Sequence, residues 1–246
     1  MSSDATGPSR ANTAQTSIAR KPIVAIDGPA GAGKSTIARQ LASKFGLLNL
    51  ETGAMYRAFA LKALRAGVSL DDCSALVALT AHTEIRLAQA DGGNRVLLDN
   101  EDVTAAIRDQ AVTDGASKVS VFTPIRAWMV ALQQQLGADG GVVMEGRDIG
   151  TVVFPQAEVK IFLDADPEVR GQRRFDQLGP APAVLPEEVI RDLRARDLRD
   201  RTRADSPLKP ADDAVLLNST HLTLDETVQA AEAIVREKLL PNQHPS

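Results

Sequence analysis

The run from Gly28 to Ser35 has residue types and a spacing that suit the binding of phosphate. It fits the pattern G-x-x-x-x-G-K-[ST] at every fixed position. Glycines let successive backbone N–H groups turn into one concavity around anionic oxygens. Lys34 would reach the β- and γ-phosphates of a nucleotide, and the Ser35 hydroxyl would be a ligand of Mg²⁺. The ATP-binding set that we predict is Gly28, Pro29, Ala30, Gly31, Ala32, Gly33, Lys34, Ser35 and Thr36.

The flanking segments have the pattern that such a loop requires. Residues 23–27 form a short apolar run with the features of a buried strand. After the loop, Ile37, Leu41 and Phe45 follow at helical spacing, and Gly46 is a typical helix end. A glycine-rich turn without a ligand would leave the match of every fixed position unexplained. The sequence therefore predicts a phosphate-binding loop between a strand and a helix.

The rest of the chain alternates between strand and helix patterns. The other predicted strands are 47–50, 141–144, 159–164 and 214–218, and the predicted helices are 54–66, 125–136 and one that starts at a capping box over 223–226. Such alternation indicates an α/β fold with a mostly parallel sheet covered on both sides. Ligands bind such sheets beyond the carboxyl ends of the strands. The phosphate-binding loop, the segment after Leu50 and residues 145–148 all follow predicted strands.

Two regions interrupt this alternation. Residues 79–112 predict a small β insert, with two alternating runs around a turn at 91–94. Residues 170–206 are dense in arginine with interleaved acids. This second region is either a solvated helix with i,i+4 ion pairs or a lid that closes over phosphates. We favour the lid, because arginine far outnumbers lysine there and guanidinium groups bind phosphate in a bidentate manner.

The composition excludes several classes of protein. The chain has 246 residues, a formal net charge of −4 and 43% hydrophobic residues, which fits one enzyme-sized domain and argues against nucleic-acid or anionic-membrane binding. The single Cys73 excludes an internal disulfide and fits a cytoplasmic location. Residues 1–20 lack the apolar core of a signal peptide, and we expect a disordered tail there, followed by one domain over 21–246.

Four motifs resemble those of bacterial cytidylate kinases. They cover residues 27–36, 52–57, 145–155 and 196–203, and the similarity extends over about 21–240. The resemblance implies a P-loop three-layer sandwich with a parallel sheet, a monophosphate-binding insert at 79–112 and an arginine-rich lid at 170–206. It also implies transfer of the γ-phosphoryl group of ATP to CMP or dCMP with Mg²⁺, in a monomer whose partners are small nucleotides.

The resemblance also implies roles for individual residues. Lys34, Arg147 and Arg196 would be catalytic, with Arg147 between the donor and acceptor phosphates. The CMP-binding residues would be Thr52, Tyr56, Arg57, Ser117, Arg126, Glu145, Arg147, Arg196, Asp200 and Arg203. Two residues depart mildly from the family pattern: Glu51 stands where aspartate is common, and Glu145, at a position where members have aspartate or glutamate, is one methylene longer than aspartate.

Two other functions fit part of this pattern. A P-loop kinase that acts on UMP or AMP would share the loop and the lid, and the residues leave the choice between CMP and dCMP open. A switch or assembly NTPase would share the loop alone. A guanine-specific switch would carry N-K-x-D, which the sequence lacks, and would not need the arginines. Phosphoryl transfer needs no general base here, since an acceptor phosphate is already an anionic nucleophile.

Overall fold

The computed structural model describes residues 21–90, 93–177 and 185–239. The predicted tail at 1–20 and the first half of the predicted turn at 91–94 lie outside the described residues, as do residues 178–184 and 240–246.

A five-stranded parallel sheet forms the centre of the molecule. Its strands are β1 (Ile23–Asp27), β2 (Leu48–Glu51), β6 (Val142–Gly146), β7 (Val159–Asp164) and β8 (Val215–Asn218), in the order β2-β6-β1-β7-β8. The central strand β1 pairs with β6 on one side and β7 on the other, with Ile26 opposite both Glu145 and Ile161. The loop that follows β1 is therefore flanked by the ends of two other strands. The predicted parallel sheet is confirmed.

Helices cover both faces of this sheet. The described helices are α1 (Lys34–Phe45), α2 (Thr52–Arg65), α3 (Cys73–Thr80), α4 (Gln110–Val119), α5 (Thr123–Leu136), α6 (Pro167–Asp176), α7 (Pro186–Thr202) and α8 (Leu224–Leu239). Alternate residues of β1 enter different cores, because successive side chains of a strand point to opposite faces. Val24 and Ile26 pack in the core that includes α1 and α8. Ile23 and Ala25 pack on the other face, beside α5 and a π-helical turn at Ile149–Val153.

A separate antiparallel sheet lies in the predicted insert. It consists of β3 (Ile85–Ala90), β4 (Gly93–Leu98) and β5 (Glu101–Asp102). Its buried residues Val96 and Leu98 share a core with Phe59 of α2. Asn94 joins it to the edge of the main sheet, since its amide accepts from Glu51 N at 2.9 Å and donates to Asn49 O at 2.7 Å. The insert is therefore held beside the start of α2.

Some elements agree closely with the sequence prediction, and others were missed. The capping box of α8 is present: Thr223 Oγ1 accepts from Glu226 N at 3.2 Å, and Glu226 accepts from Thr223 N at 2.8 Å. Helix α4 was missed, in part because Gly115 lies in its interior and glycine lowers helix propensity. A Cβ atom at Gly115 would lie 3.3 Å from Ala60 Cβ, so this glycine allows α4 to pack closely on α2.

Gly28→Ala should lower the free energy of unfolding by about 3 kcal/mol or more. Gly28 has φ +151°, and a Cβ atom there would lie 2.0 Å from the backbone oxygen of Leu163. The matched control is Gly46→Ala, where φ is +64° and no described atom lies within 4 Å of the added Cβ. That change should lower the free energy of unfolding by only about 1–2 kcal/mol, the energy of placing alanine in the left-handed region. Urea unfolding measures both variants, and equal losses would contradict the steric explanation.

Candidate active site

The phosphate-binding loop joins β1 to α1 with the geometry that its sequence predicts. Gly31 and Gly33 have φ of +76° and +94°, values that favour glycine. Gly33 caps α1, and the N–H groups of Thr36 and Ile37 donate to its carbonyl oxygen at 3.1 Å. The amino end of a helix attracts anions, because its first N–H groups and its dipole are directed there. The loop and α1 together therefore form an anion-binding concavity.

Lys34 is buried at the base of this loop. Its Nζ donates to Pro29 O at 2.7 Å, and the residue is 6% exposed. Burial and the charge of Arg147 lower the pKa of Lys34, while Glu145 opposes the shift. A phosphate next to Lys34 would supply the negative charge that favours the ammonium form.

Asp27, the last residue of β1, holds the segment that follows β6. Its two carboxylate oxygens accept from Ile149 N at 2.8 Å and Gly150 N at 2.7 Å. These bonds fix the turn that carries Arg147 and Asp148, and they place it beside the phosphate-binding loop. Burial raises the pKa of Asp27 to about 6, although the two backbone bonds oppose the shift.

Glu145 and Ser35 form an oxygen-rich pair at the end of β6. The Ser35 side chain lies close to the Glu145 carboxyl. Burial and the nearby Glu51 charge raise the pKa of Glu145 to about 6, although Lys34 and Ser35 oppose the shift. Glu145 Oε1 is buried without a hydrogen-bond partner among the described residues. A hydroxyl and a carboxylate are hard oxygen donors that suit Mg²⁺. In the described part of the chain, no group of three or more His, Cys, Asp or Glu side chains could hold a metal. The pair therefore fits an ion that keeps most of its ligands from water and phosphate.

Tyr56, Arg126 and Asp148 form a buried polar cluster on the other side of the site. Arg126 is 4% exposed, forms an ion pair with Asp148, and donates to Ser120 O at 3.2 Å. Its guanidinium carbon lies 5.9 Å from the centre of the Tyr56 ring. Burial raises the pKa of Tyr56 to about 12, so this residue is a neutral hydrogen-bonding group at neutral pH. Thr52 lies nearby and donates from Oγ1 to Glu145 O at 2.7 Å.

Several arginines of the site have side-chain nitrogens that form no hydrogen bond among the described residues. Among the described residues, the buried nitrogens without a hydrogen-bond partner include Arg57 Nε, Arg126 Nε, Arg196 Nε and Arg203 Nη2. Leaving a buried charged donor unpaired is costly, so such groups indicate a missing anion. Burial and the charge of Arg147 lower the pKa of Arg196 to about 10, with a further contribution from Arg57. The cations are thus close enough to repel one another.

Helix α7 and the residue after it contribute Arg196, Asp200 and Arg203 to the site. Arg147 Nε donates to Asp200 Oδ2 at 2.8 Å, and Arg203 Nη1 lies 3.8 Å from Asp200 Oδ1. Although burial opposes the shift, Arg147 and Arg196 lower the pKa of Asp200. Ser117 Oγ accepts from Arg199 at 3.2 and 3.3 Å. The helix therefore contacts both the β6 turn and α4.

The structure brings the predicted site residues to one edge of the sheet. Glu145, which the resemblance places near the acceptor, lies close to Ser35 of the phosphate-binding loop. Three contributors were not singled out from the sequence: Asp27, Asp148 and Arg199. Asp27 and Asp148 belong to the motifs 27–36 and 145–155, from which other residues were chosen. Both are charged and buried in the structure, and the sequence does not show that burial. In the arginine-rich region, Arg173 does not line the cluster; it donates to Ser219 O at 2.8 Å.

Comparison with known proteins decides the family. A family model described as "Cytidylate kinase" matches residues 24–237. The chain belongs to the cytidylate kinase family. A "Cytidylate kinase" from Solibacter usitatus is 49% identical over 89% of this chain and 94% of that protein. One from Pasteurella multocida is 43% identical over 90% of this chain and 98% of that protein.

More distant similarity is seen among solved structures. Shikimate kinase from Acinetobacter baumannii, in complex with shikimate, aligns with a TM-score of 0.43 at 18% identity, over 91% of this chain and 96% of that one. At that distance the likeness adds nothing to the assignment. In this member of the cytidylate kinase family, no helix of the described ranges is long and apolar enough to cross a membrane.

Asp27→Asn should remove a dependence of stability on pH. Because burial raises the pKa of Asp27 from 3.8 to about 6, the folded protein binds this proton more tightly than the unfolded chain. The stability that the group contributes is present below the unfolded pKa and is lost as pH rises through the folded one. From pH 4 to pH 7, the stability of the wild type relative to Asp27→Asn should fall by about 2 kcal/mol.

Urea unfolding at several pH values measures this difference. Asp213→Asn is the control, because its bond from Lys160 lowers the pKa of Asp213 and gives an effect of the opposite sign. A difference between wild type and Asp27→Asn that stays constant from pH 4 to pH 7 would contradict the assignment.

Proposed function

We propose that the protein transfers the γ-phosphoryl group of ATP to CMP or dCMP and releases ADP and CDP or dCDP. The observation that carries this proposal is the set of buried, unpartnered guanidinium N–H groups beside a phosphate-binding loop. A site for one nucleotide needs the loop alone. Cations on α2, α5 and α7, across the site from that loop, are what a second phosphorylated substrate would require.

ATP would bind with its phosphates in the concavity of the phosphate-binding loop. Lys34 would neutralise charge on the β- and γ-phosphates, and its bond to Pro29 O positions the ammonium group at the base of the loop. Backbone N–H groups at the start of α1 would add donors that need no reorganisation.

The acceptor would bind against α2, α4 and α5. Arg57 would bind the CMP phosphate, because it lies on the first turns of α2 and its Nε is free among the described residues. Ser117 and the partly buried Tyr56 would line the base, Arg126 would join Arg57 at the acceptor phosphate, and Asp200 would face the sugar. A buried polar pocket of this kind rejects ligands that leave its groups unpaired.

Mg²⁺ would be held by the Ser35 hydroxyl, with Glu145 beside it and the remaining ligands from phosphate and water. When bound, the ion would supply charge stabilisation on the transferring phosphoryl group. Ser35 belongs to the loop and the Glu145 carboxyl lies near it, which supports this assignment.

Transfer would then depend on position and charge. Arg147 lies between the two sides and would contact both sets of phosphates, and Arg196 and Arg203 would complete the positive charge as α7 closes. Exclusion of water would strengthen each interaction and limit hydrolysis of ATP. No side chain is needed as a general base, because the acceptor oxygen is already anionic.

A coupled assay over CMP, dCMP, UMP and AMP tests the proposal. ADP formation should require a monophosphate and should be fastest with CMP or dCMP. Lys34→Ala is the control, and it should lower kcat by roughly 100-fold or more, since it removes a charge that acts on the transition state. ADP formation that is independent of any monophosphate would favour a switch or assembly NTPase. A preference for UMP or AMP would place the protein in another kinase class.

Arg57→Ala should raise the KM for CMP by roughly 10- to 100-fold and leave ATP binding nearly unchanged. The matched control is Arg65→Ala on the same helix, where the arginine forms an exposed ion pair with Glu101. Such pairs contribute little, so this variant should resemble the wild type. Calorimetry with each nucleotide alone separates the two sites, and equal losses for ATP and CMP would overturn the role of Arg57.

A further inference from the structure

Arg170 connects three elements that surround the phosphate-binding loop. Its side chain is 2% exposed and donates from Nε to Ala165 O, between β7 and α6, at 2.7 Å. Nη1 donates to Ala30 O of the phosphate-binding loop at 2.8 Å. Nη2 forms an ion pair with Asp197 Oδ2 of α7 at 2.6 Å. One guanidinium group therefore links the loop directly to the arginine-rich helix.

The loop, α6 and α7 approach one another closely beside Arg170. A Cβ atom at Gly31 in the loop would lie 3.2 Å from Arg170 O. At Gly171 it would lie 2.2 Å from Ile190 Cγ1 of α7. The loop thus rests on α6, and α6 rests on α7. Because well-packed elements shift together or lose their contacts, a displacement of the loop would be transmitted to α7.

Stability alone does not account for this buried ion pair. Replacing both members of such a pair by apolar residues is often neutral or stabilising. Asp197 Oδ1 is also buried without a hydrogen-bond partner among the described residues, so the pair is not fully satisfied. A bond to a loop carbonyl on one side and to the helix on the other is what a coupling role requires.

We infer that Arg170 is a positioning residue that couples the phosphate-binding loop to helix α7, so that ATP in the loop favours the closed position of that helix. The inference rests on the proposed function in that ATP is taken as the ligand of the loop. When the loop settles on the phosphates, Ala30 O moves with it, and Arg170 transmits this change to Asp197. ATP then has a differential affinity for the closed state, which is what coupling means in thermodynamic terms.

The double variant Arg170→Met, Asp197→Leu removes the link without leaving a lone buried charge, so the fold should persist. In the wild type, Mg²⁺ and ATP should slow hydrogen exchange of residues 186–202. In the double variant, ATP should still bind by calorimetry, but this protection should be lost. The kcat/KM for ATP in transfer to CMP should fall roughly 5- to 150-fold.

The control variant is Glu168→Gln, Arg194→Met. This ion pair also joins α6 to α7, but its side chains are 61% and 57% exposed, and neither forms a hydrogen bond with the loop within the described residues. It should keep both the ATP-dependent protection and the wild-type rate. Should the first double variant not fold, Arg170→Lys retains the charge beside Asp197 but has a single donor group, and it should lose the same protection.

The outcomes separate this inference from the proposed function. Persistence of ATP-dependent protection in Arg170→Met, Asp197→Leu or in Arg170→Lys would overturn the coupling role, even if the wild type phosphorylates CMP. Loss of protection in these variants, with protection kept in the Glu168→Gln, Arg194→Met control, would support the coupling role. That result would hold even if the preferred acceptor were a different monophosphate.

Discussion

Repulsion between like charges is the constraint on which the rest of the site depends. Two nucleotides can bring their phosphates together only where several cations offset the negative charge, and those cations repel one another before any ligand binds. Burial lowers the pKa of Arg196 to about 10, and the like charges of Arg147, Arg57 and Arg199 contribute to the same shift. Three acids partly offset this positive charge: Glu51 pairs with Arg57, Asp148 with Arg126, and Asp200 with Arg147. These pairs keep the arginines in place and leave some of their N–H groups free for phosphate.

The parallel sheet makes this arrangement possible, because its strands end at the same edge. The order β2-β6-β1-β7-β8 places the loop after β1 between the turn after β6 and the end of β7. Asp27 fixes the distance between the loop and the β6 turn by two backbone bonds. Asn94 fixes the insert to the edge strand β2 in a similar way. The turn that carries Arg147 and the insert beside α2 are thus each tied to the sheet by hydrogen bonds that involve backbone groups.

Local patterns predicted the parts of the protein whose structure is set by nearby residues. Strand β7 was predicted at its observed bounds from a short, mostly apolar run, and five successive residues before Asp164 are buried in the structure. The phosphate-binding loop was predicted because every fixed position of its motif is matched between a strand pattern and a helix pattern. Arg170 shows the limit of that approach. The sequence reveals a region dense in arginine, but burial and partners on three elements decide that this arginine links the loop to α7.

Long-range contacts also explain the other residues that were missed. Asp27 precedes the phosphate-binding loop in the sequence, but its partners are Ile149 and Gly150, more than 120 residues later. Asp148 contributes to the site by forming an ion pair with Arg126 of α5. Neither pairing has a periodicity or a short motif that a sequence pattern could detect.

A crystal structure with CMP and a non-hydrolysable ATP analogue is the most direct test of the central claim. The claim is that the unpartnered guanidinium groups are the phosphate-binding groups of a two-nucleotide site. Phosphate oxygens should lie within about 3.2 Å of the guanidinium nitrogens of Arg57 and Arg196, which is the ordinary range of an N–H···O bond. Phosphates bound elsewhere, with Arg57 Nε and Arg196 Nε still unpartnered, would contradict it.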